Sequence, residues 1–412
     1  MPKISKILLL IASVVLVLTV FLGVNSSGVS AATTDQDGAY RQINVYSEVL
    51  RHIQTDYVVE PNIPAVTNGA LRGLLESLDS DSSYLTPEEY KIYKSDQGGK
   101  AQVGINVSKR YGYATVVSVV PGSPADKANL NDGDIIEAIG GQDTREISVA
   151  MIQLLLSGQP GSELTLAVVR PRKATPDKVT LTRVAITLPP VSETMYENSS
   201  ILYLKPGVLD REHVQQVEAK LKAMPKAGNK KILLDLRDVS AGDMAEATRM
   251  ANFFLKTGTI TSLEGQKVQK QTFAADASKA VNATAPLVVL TNRGTAGPAE
   301  LVAAALLDNK RAELVGEKTF GEGAQQKTFE LPDGSALILS VAKYESPSGK
   351  KLQDEGVTPG MVVASAQDDN IAVDEDSSST DTSAATKPAA KPTVAVDEQL
   401  SKALELLKSK AV

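Results

Sequence analysis

The chain has 412 residues, 42% of them hydrophobic, and this length predicts about two to three domains with substantial cores. Its net charge of −6 argues against a nucleic-acid backbone as partner, because such binding needs a basic patch, and none is visible in the sequence. The absence of cysteine excludes disulfides, thiolate metal sites and a lipid-modified cysteine near the amino terminus.

Residues 1–31 have the pattern of an export signal. Lys3 and Lys6 precede an apolar run over residues 7–24, and the small residues at 29–31 offer a cleavage site. The run is also just long enough to span a bilayer, so a cleaved signal peptide and an uncleaved anchor both stay open. Either alternative predicts an exported protein of the cell envelope, periplasmic or membrane-anchored, whose only membrane contact is through residues 1–31 if they remain attached.

Residues 38–97 predict an N-terminal helical region. Apolar residues at three-and-four spacing indicate one amphipathic helix over residues 40–57 and a second over 63–78, and Thr86 is the predicted N-cap of a third. His52 lies on the polar side of the first helix and has no second ligand candidate nearby. Packing or self-association is therefore the role we expect of these helices.

From residue 98 to 188 the pattern changes to short β-rich runs separated by turns. Residues 102–105 (QVGI), 121–125 (PGSPA) and 130–136 (LNDGDII), followed by a helix near 148–156, together resemble a PDZ domain.

The PDZ resemblance implies a groove in which a peptide adds a β-strand, with a loop at Val103, Gly104 and Ile105 whose backbone N–H groups hold a terminal carboxylate. Polypeptide C-termini are thus the predicted ligands. The alternative is that Gly104 merely allows a bulge and the loop binds nothing.

Pro189 and Pro190 mark the predicted entry to a third folded domain, residues 189–365. Strands alternate there with helices, which favours an α/β sheet with crossovers. His213 is expected on an exposed helix, with a solvated side chain. The predicted strands are 201–204, 231–236 and 287–290, and the predicted helices are 212–224 and 245–255.

Residues 291–300 (TNRGTAGPAE) and 315–323 (VGEKTFGEG) resemble the active-site segments of the carboxyl-terminal processing, or tail-specific, serine peptidases. The matching patterns of that family are GTASASE and GEKTFGKG, and the resemblance covers about residues 42–363. It implies N-terminal helices, a β-rich PDZ domain and an α/β, crotonase-like peptidase domain. Together with the disordered acidic tail and terminal helix that the composition predicts, this makes a multidomain α+β protein.

The resemblance places the family's serine nucleophile at Gly297 and its lysine base at Glu322, with the family's own separation between them. Glycine offers no nucleophile, and a carboxylate would add negative charge beside a forming oxyanion. Pro298 lacks the N–H of the implied oxyanion donor. Gly242 remains from the family's oxyanion turn, and Gln326 matches the glutamine that orients the lysine and is left with nothing to orient.

Two functions follow from this pattern. The first is a non-catalytic pseudopeptidase that binds polypeptide C-termini as a regulator or adaptor, together with an active relative or as a homo-oligomer. The second is an active serine endopeptidase with a relocated nucleophile, for which Thr295, Ser240 and Lys318 are the nearby candidates. The sequence predicts neither a cofactor nor a metal site.

Residues 366–394 are rich in Ser, Asp, Thr, Ala and Pro, and they are predicted to form a disordered linker. Residues 395–412 predict a short amphipathic helix capped by Asp397. Docking of this helix on its own domain or on a sister chain is the role we expect. The residues on its apolar face are Leu400, Ala403, Leu404 and Leu407.

Overall fold

The computed structural model describes residues 35–95, 101–110, 112–170, 175–365 and 397–411. The predicted export segment and the predicted linker lie outside these ranges. The chain divides into two compact units, residues 1–68 and 69–412, which are described separately. None of the described helices is both long and apolar enough to cross a bilayer.

The first unit contains helix α1, Asp35–Asp56, and the first turns of α2, Ile63–Glu76, close to the predicted helices. Apolar side chains of α1 such as Ile43 and Val49 are exposed. Nδ1 of His52 lies 2.6 Å from the carboxylate of Asp56, one turn later on the same helix.

The second unit begins with the rest of α2, strand β1, Ser83–Leu85, and helix α3, Pro87–Ser95. Thr86 caps α3 as predicted, because its hydroxyl accepts from the N–H of Glu89 at 3.2 Å while the Glu89 carboxylate accepts from the Thr86 N–H at 2.9 Å.

The PDZ sheet has the strand order β2-β3-β4-β6-β7, with β5 paired to β4. Strand β2 stands at one end of this order, and helix α5 packs beside it, which leaves a groove between the two. The elements are β2 Ile105–Arg110, β3 Tyr113–Val119, α4 Pro124–Lys127, β4 Ile135–Ile139, β5 Gln142–Asp143, α5 Val149–Leu156, β6 Glu163–Val169 and β7 Asp177–Thr182.

The third domain is built on a six-stranded sheet of order β17-β14-β13-β10-β9-β8, parallel except for β8. Helices cover both faces, so its inner strands are continuously buried, as in β10 and β13. The strands are β8 Ser192–Tyr196, β9 Ile201–Lys205, β10 Lys231–Asp235, β13 Leu287–Thr291, β14 Glu313–Gly316 and β17 Met361–Val362, and the helices are α6 Arg211–Ala227, α7 Met244–Asn252 and α8 Pro298–Asp308.

A second sheet in this domain has the order β1-β16-β11-β12, with β15 paired to β16. Strand β1 joins it antiparallel to β16, so residues 83–85 belong structurally to this domain. The remaining strands are β11 Thr259–Glu264, β12 Gln271–Ala274, β15 Ala324–Glu330 and β16 Ala336–Glu345.

The last helix, α9, Glu398–Ser409, packs on the parallel sheet of its own chain. Ala403 and Leu407 are fully buried there, and Asp397 accepts from the Leu400 N–H at 2.9 Å. The Lys231 ammonium donates to three carbonyls at the end of α9, those of Leu407, Lys408 and Lys410, at 2.7, 3.2 and 2.6 Å. The predicted cap and docking are therefore both present.

The expectation that His213 is solvated is wrong. The side chain is buried, with Nδ1 2.8 Å from an Asp210 carboxylate oxygen and Nε2 3.1 Å from the Pro189 carbonyl. The sequence predicts that His213 lies on an exposed helix. In the structure, the segment that enters the domain at Pro189 covers this side chain.

Candidate functional site

Three loops at the carboxyl ends of parallel strands meet at one edge of the six-stranded sheet. They follow β10, β13 and β14, and backbone hydrogen bonds join them. The N–H of Ala296 donates to the Val239 carbonyl at 3.0 Å, and the N–H of Phe320 donates to the Thr295 carbonyl at 2.9 Å. Ligand sites of open parallel sheets form at this edge.

A cleft of ≈ 450 Å³ opens beside these loops, and residues of the PDZ groove line it as well. It brings together most of the positions singled out in the sequence, from both domains. These are Val103, Ile105, Gly242, Gly297, Pro298 and Glu322.

Gly297 stands immediately before the first turn of α8 with φ 53° and ψ −115°, a backbone conformation that side-chain-bearing residues rarely adopt. A Cβ atom there would lie 3.8 Å from the carboxyl carbon of Glu322 and 3.7 Å from the Ser240 carbonyl oxygen. A side chain at 297 would therefore fit without collision and stand next to Glu322.

The carboxylate of Glu322 has no hydrogen bond or ion pair with any side chain in the described ranges. The Glu322 side chain is exposed to solvent in the cleft, although protein atoms surround its carboxyl group on most sides. Burial, together with the nearby Asp81 and Glu300 carboxyls, raises the pKa of Glu322 to about 8.

Glu300 is fully buried in the first turn of α8 and holds the site together. Its carboxylate accepts from the N–H groups of Gly297, Gly321 and Glu322 at 2.9, 2.7 and 2.7 Å, and from the Thr319 hydroxyl. Burial raises the pKa of Glu300 to about 7, and these four donors oppose that rise. The sequence did not single out Glu300 or this bridge between two loops.

Residues 200–363 match the model of Peptidase family S41, and residues 115–170 match that of a PDZ domain. The chain is 35% identical over 300 residues to a Carboxyl-terminal-processing protease of a Picosynechococcus species, covering 72% of each chain. It is 30% identical over 362 residues to the Carboxy-terminal processing protease CtpA of Bacillus subtilis, covering 87% of this chain and 76% of that protein. The chain belongs to peptidase family S41.

Further comparisons set the extent of this likeness. Carboxyl-terminal-processing peptidase 2 of Arabidopsis thaliana chloroplasts is 32% identical over 332 residues, which are 75% of this chain and 63% of that relative's length. The solved structure of a photosystem II D1 C-terminal processing protease has a TM-score of 0.65 at 24% identity, covering 78% of this chain and 92% of its own, and it supports the same fold.

In this S41 member, the loop after α2 also reaches the site. Asp81 accepts from the Gln353 amide at 2.9 Å, and burial raises the pKa of its carboxyl. The Gln326 amide donates to the Asp81 carbonyl at 2.7 Å. Gln326 is thus bonded to the backbone of this loop and not to Glu322, and Asp81 brings a second carboxyl group near the cleft.

At the PDZ loop, Gly104 has φ 87°, and a Cβ atom would lie 2.1 Å from that of Ser123, so only glycine fits. The Gly104 carbonyl accepts from Val120 N–H at 2.8 Å, and the Val103 carbonyl accepts from Ala125 N–H at 3.0 Å. Residues 120–125 thus shape the loop at the end of the groove. Binding of a carboxylate by this loop stays a prediction.

The oxyanion-turn residue Gly242 has φ 137°, and a Cβ atom there would lie 2.4 Å from the Leu209 carbonyl oxygen. This close approach requires glycine for reasons of packing. The position therefore keeps its backbone shape whether or not it takes part in chemistry.

The three candidates for a relocated nucleophile are all poorly placed. Thr295 is fully buried, and its hydroxyl donates to the Leu236 carbonyl at 2.8 Å. Ser240 lines the cleft, but its hydroxyl bonds to Asn106 and, at 2.5 Å, to Ser118, and neither is a base. Lys318 is exposed and lines two other depressions. Within the part of the chain that the structure describes, no group of three or more His, Cys, Asp or Glu side chains is arranged to hold a metal ion.

Proposed function

We propose that this S41 member is a non-catalytic pseudopeptidase that binds polypeptide C-termini in the cleft between its PDZ groove and the edge of the parallel sheet. The observation that carries the proposal is the pairing of Gly297 with Glu322, 3.8 Å from a Cβ position at 297 to the carboxyl carbon. These are the positions to which the resemblance assigns the nucleophile and the base.

Peptide hydrolysis by a serine and a lysine needs a hydroxyl, a basic amine and N–H donors for the oxyanion. Gly297 has no hydroxyl, and Pro298 has no N–H to donate. An ionised Glu322 would repel the developing oxyanion. Loss of one oxyanion donor alone raises a barrier by about 2.7–4 kcal/mol, and loss of nucleophile and base adds much more.

A relocated nucleophile is the second candidate, and the surroundings of its residues oppose it. Thr295 is inaccessible, Lys318 lies outside the cleft lining, and the bonds of Ser240 include no general base. An active Ser would need such a base within hydrogen-bonding reach.

Binding is supported by the continuity of the cleft. Its lining runs from the PDZ residues Val103 and Ile105 to Gly297 and Glu322, so one extended chain end can contact both. The relatives are named for processing at carboxyl termini, which supports the same ligand class here. Export to the cell envelope, and pairing with an active relative or with a second copy of the chain, belong to the proposal.

The catalytic part is tested by incubating the purified chain with unstructured proteins that end in apolar residues. The Gly297→Ser, Pro298→Ala, Glu322→Lys triple variant is assayed in parallel. It restores the serine, the lysine and the N–H donor that the family resemblance assigns to these positions. We expect no cleavage by the natural chain. Cleavage above the buffer rate that disappears in a Ser240→Ala variant would replace the proposal with the relocated-nucleophile reading.

The binding part is tested by titrating peptides with free and with amidated C-termini. We expect the free form to bind more tightly, because the PDZ loop would bond its carboxylate. Equal affinity for the two forms would remove the carboxylate from the proposal.

A further inference from the structure

Among the described residues that line the cleft, Glu322 alone has an ionisable side chain. The other polar lining side chains are neutral amides and hydroxyls, namely those of Gln102, Asn106, Gln153, Ser157 and Ser240. At the PDZ end, Val103, Ile105 and Leu156 add apolar side chains to these neutral polar ones. The cleft therefore joins an uncharged end to a single carboxyl group.

The acidic groups nearest to Glu322 are already bonded to other parts of the protein. Glu300 accepts four hydrogen bonds, and Asp81 accepts from Gln353. Both carboxyls raise the pKa of Glu322, so they make its charge less favourable in the empty cleft. A cation that enters the cleft would be attracted to all three carboxyl groups. It would therefore favour the ionised form of Glu322 and lower its pKa.

We propose that Glu322 makes the cleft selective for polypeptides that carry a basic side chain upstream of an apolar C-terminus. The inference rests on the proposed function and names its ligand class. The apolar terminal residue lies against the Val103 end of the cleft, and the basic group lies at Glu322. Arginine suits this place, because its planar guanidinium bonds a carboxylate through two parallel N–H groups.

The pH dependence of binding gives a second test of the contact between the basic side chain and Glu322. A basic ligand binds the ionised form of Glu322, so a proton on that carboxyl competes with it. The titratable groups that face Glu322 are Asp81, on the loop after α2, and Glu300, on α8. Affinity for a basic peptide should therefore rise with pH through the range in which Glu322 ionises, while affinity for a neutral peptide should not.

The test uses synthetic peptides that end in a free valine and carry arginine at successive upstream positions. Each is matched by the same peptide with citrulline, which keeps the shape and loses the charge. We expect one position at which arginine binds about tenfold more tightly than citrulline to the natural chain, equivalent to about 1.4 kcal/mol. That preference should grow between about pH 6 and pH 9.

Two variants assign the effect. Glu322→Gln should abolish the preference for arginine while the citrulline peptide binds as before. Glu355→Gln, a matched change at an exposed glutamate in a separate depression, should leave the preference intact. Glu322→Lys should shift the preference to a peptide with glutamate at the same position.

The outcomes separate the two proposals. If free C-termini bind better than amidated ones but arginine and citrulline bind equally at every position, the charge inference is overturned and the proposed function stands. A preference that persists in Glu322→Gln also overturns it, since another group would then supply the charge. If none of the peptides binds, the proposed function fails, and this inference fails with it.

Discussion

Two regions of the S41 domain use charged side chains in contrasting ways. On the face of the parallel sheet that α9 covers, Arg237 bonds both Asp235 and Asp397, and Lys231 bonds the end of the helix. In the cleft, the Glu322 carboxylate has no partner in the described part of the chain. The charged groups beneath α9 stabilise the fold, whereas the cleft keeps one carboxyl group available to a ligand. Stability and binding should therefore respond in opposite ways to substitutions in the two regions.

The largest effect on folding is expected from Arg237→Ala. Asp235 is fully buried, and Arg237 bonds its carboxylate at 2.7 to 3.1 Å. Removing the guanidinium leaves that charge uncompensated, which should cost about 3–5 kcal/mol of unfolding free energy. Denaturant titration measures it. Arg237→Lys keeps the positive charge but loses the bidentate hydrogen bonding of the guanidinium, and it should cost less. A loss below about 1 kcal/mol in the alanine variant would show that Arg237 does not stabilise the fold through Asp235.

A smaller loss is expected from Glu300→Ala, at the framework of the cleft. The variant leaves the N–H groups of Gly297, Gly321 and Glu322 without their acceptor. Each unpaired buried donor costs about 1–3 kcal/mol, but water entering the space replaces part of the bonding, so we expect about 2–3 kcal/mol in total. Thermal unfolding measures the loss. Stability equal to that of the natural chain would show that the carboxylate is not the bridge between these loops.

Lys231→Met should have a local effect of about 1–2 kcal/mol, because the methionine keeps the apolar stem and removes the donor to three helix-end carbonyls. The expected result is faster hydrogen exchange in α9 than in the strands below it. Lys402→Met, on the exposed side of the same helix, is the control and should leave exchange unchanged. Uniformly faster hydrogen exchange across the whole sheet would show that α9 does not open separately from the strands.

The smallest loss of stability is expected from Glu322→Gln, within about 0.5 kcal/mol below pH 4.5, where the carboxyl group is protonated in both the folded and the unfolded chain. The pKa of Glu322 is raised in the folded chain from 4.5 to about 8, so the unfolded chain loses this proton first as pH rises. The natural chain should therefore lose stability relative to the variant between these values, and the difference should vanish below pH 4.5. Unfolding at several pH values checks the sign, and a variant that is relatively weakened at high pH would contradict it.

Local patterns predicted the elements of this fold well. The predicted strand over 287–290 is Leu287–Thr291, and Asp397 caps the last helix as expected. What the sequence did not reveal depends on contacts between distant segments. The burial of His213 requires the Pro189 carbonyl, and the place of Asp81 beside the cleft requires pairing of β1 with β16. The periodicity of a single segment carries no information about such long-range contacts.

The candidate site was predictable in position but not in its bonding. Resemblance of short motifs singled out Gly297 and Glu322, and their loops do meet at the edge of the sheet. Glu300 lies within the first of these motifs, yet its four donors come from two separate loops. A buried glutamate at the third position of a helix, beside two glycine-rich segments, is the signal that could have pointed to it.

The backbone at Gly297 favours glycine over every other residue. Any other residue must adopt its positive φ, at a cost of about 1–3 kcal/mol, whereas glycine adopts it freely. The Gly297→Ser change in the triple variant carries this strain. That variant therefore has to fold against a local penalty before its new hydroxyl can contribute to any chemistry.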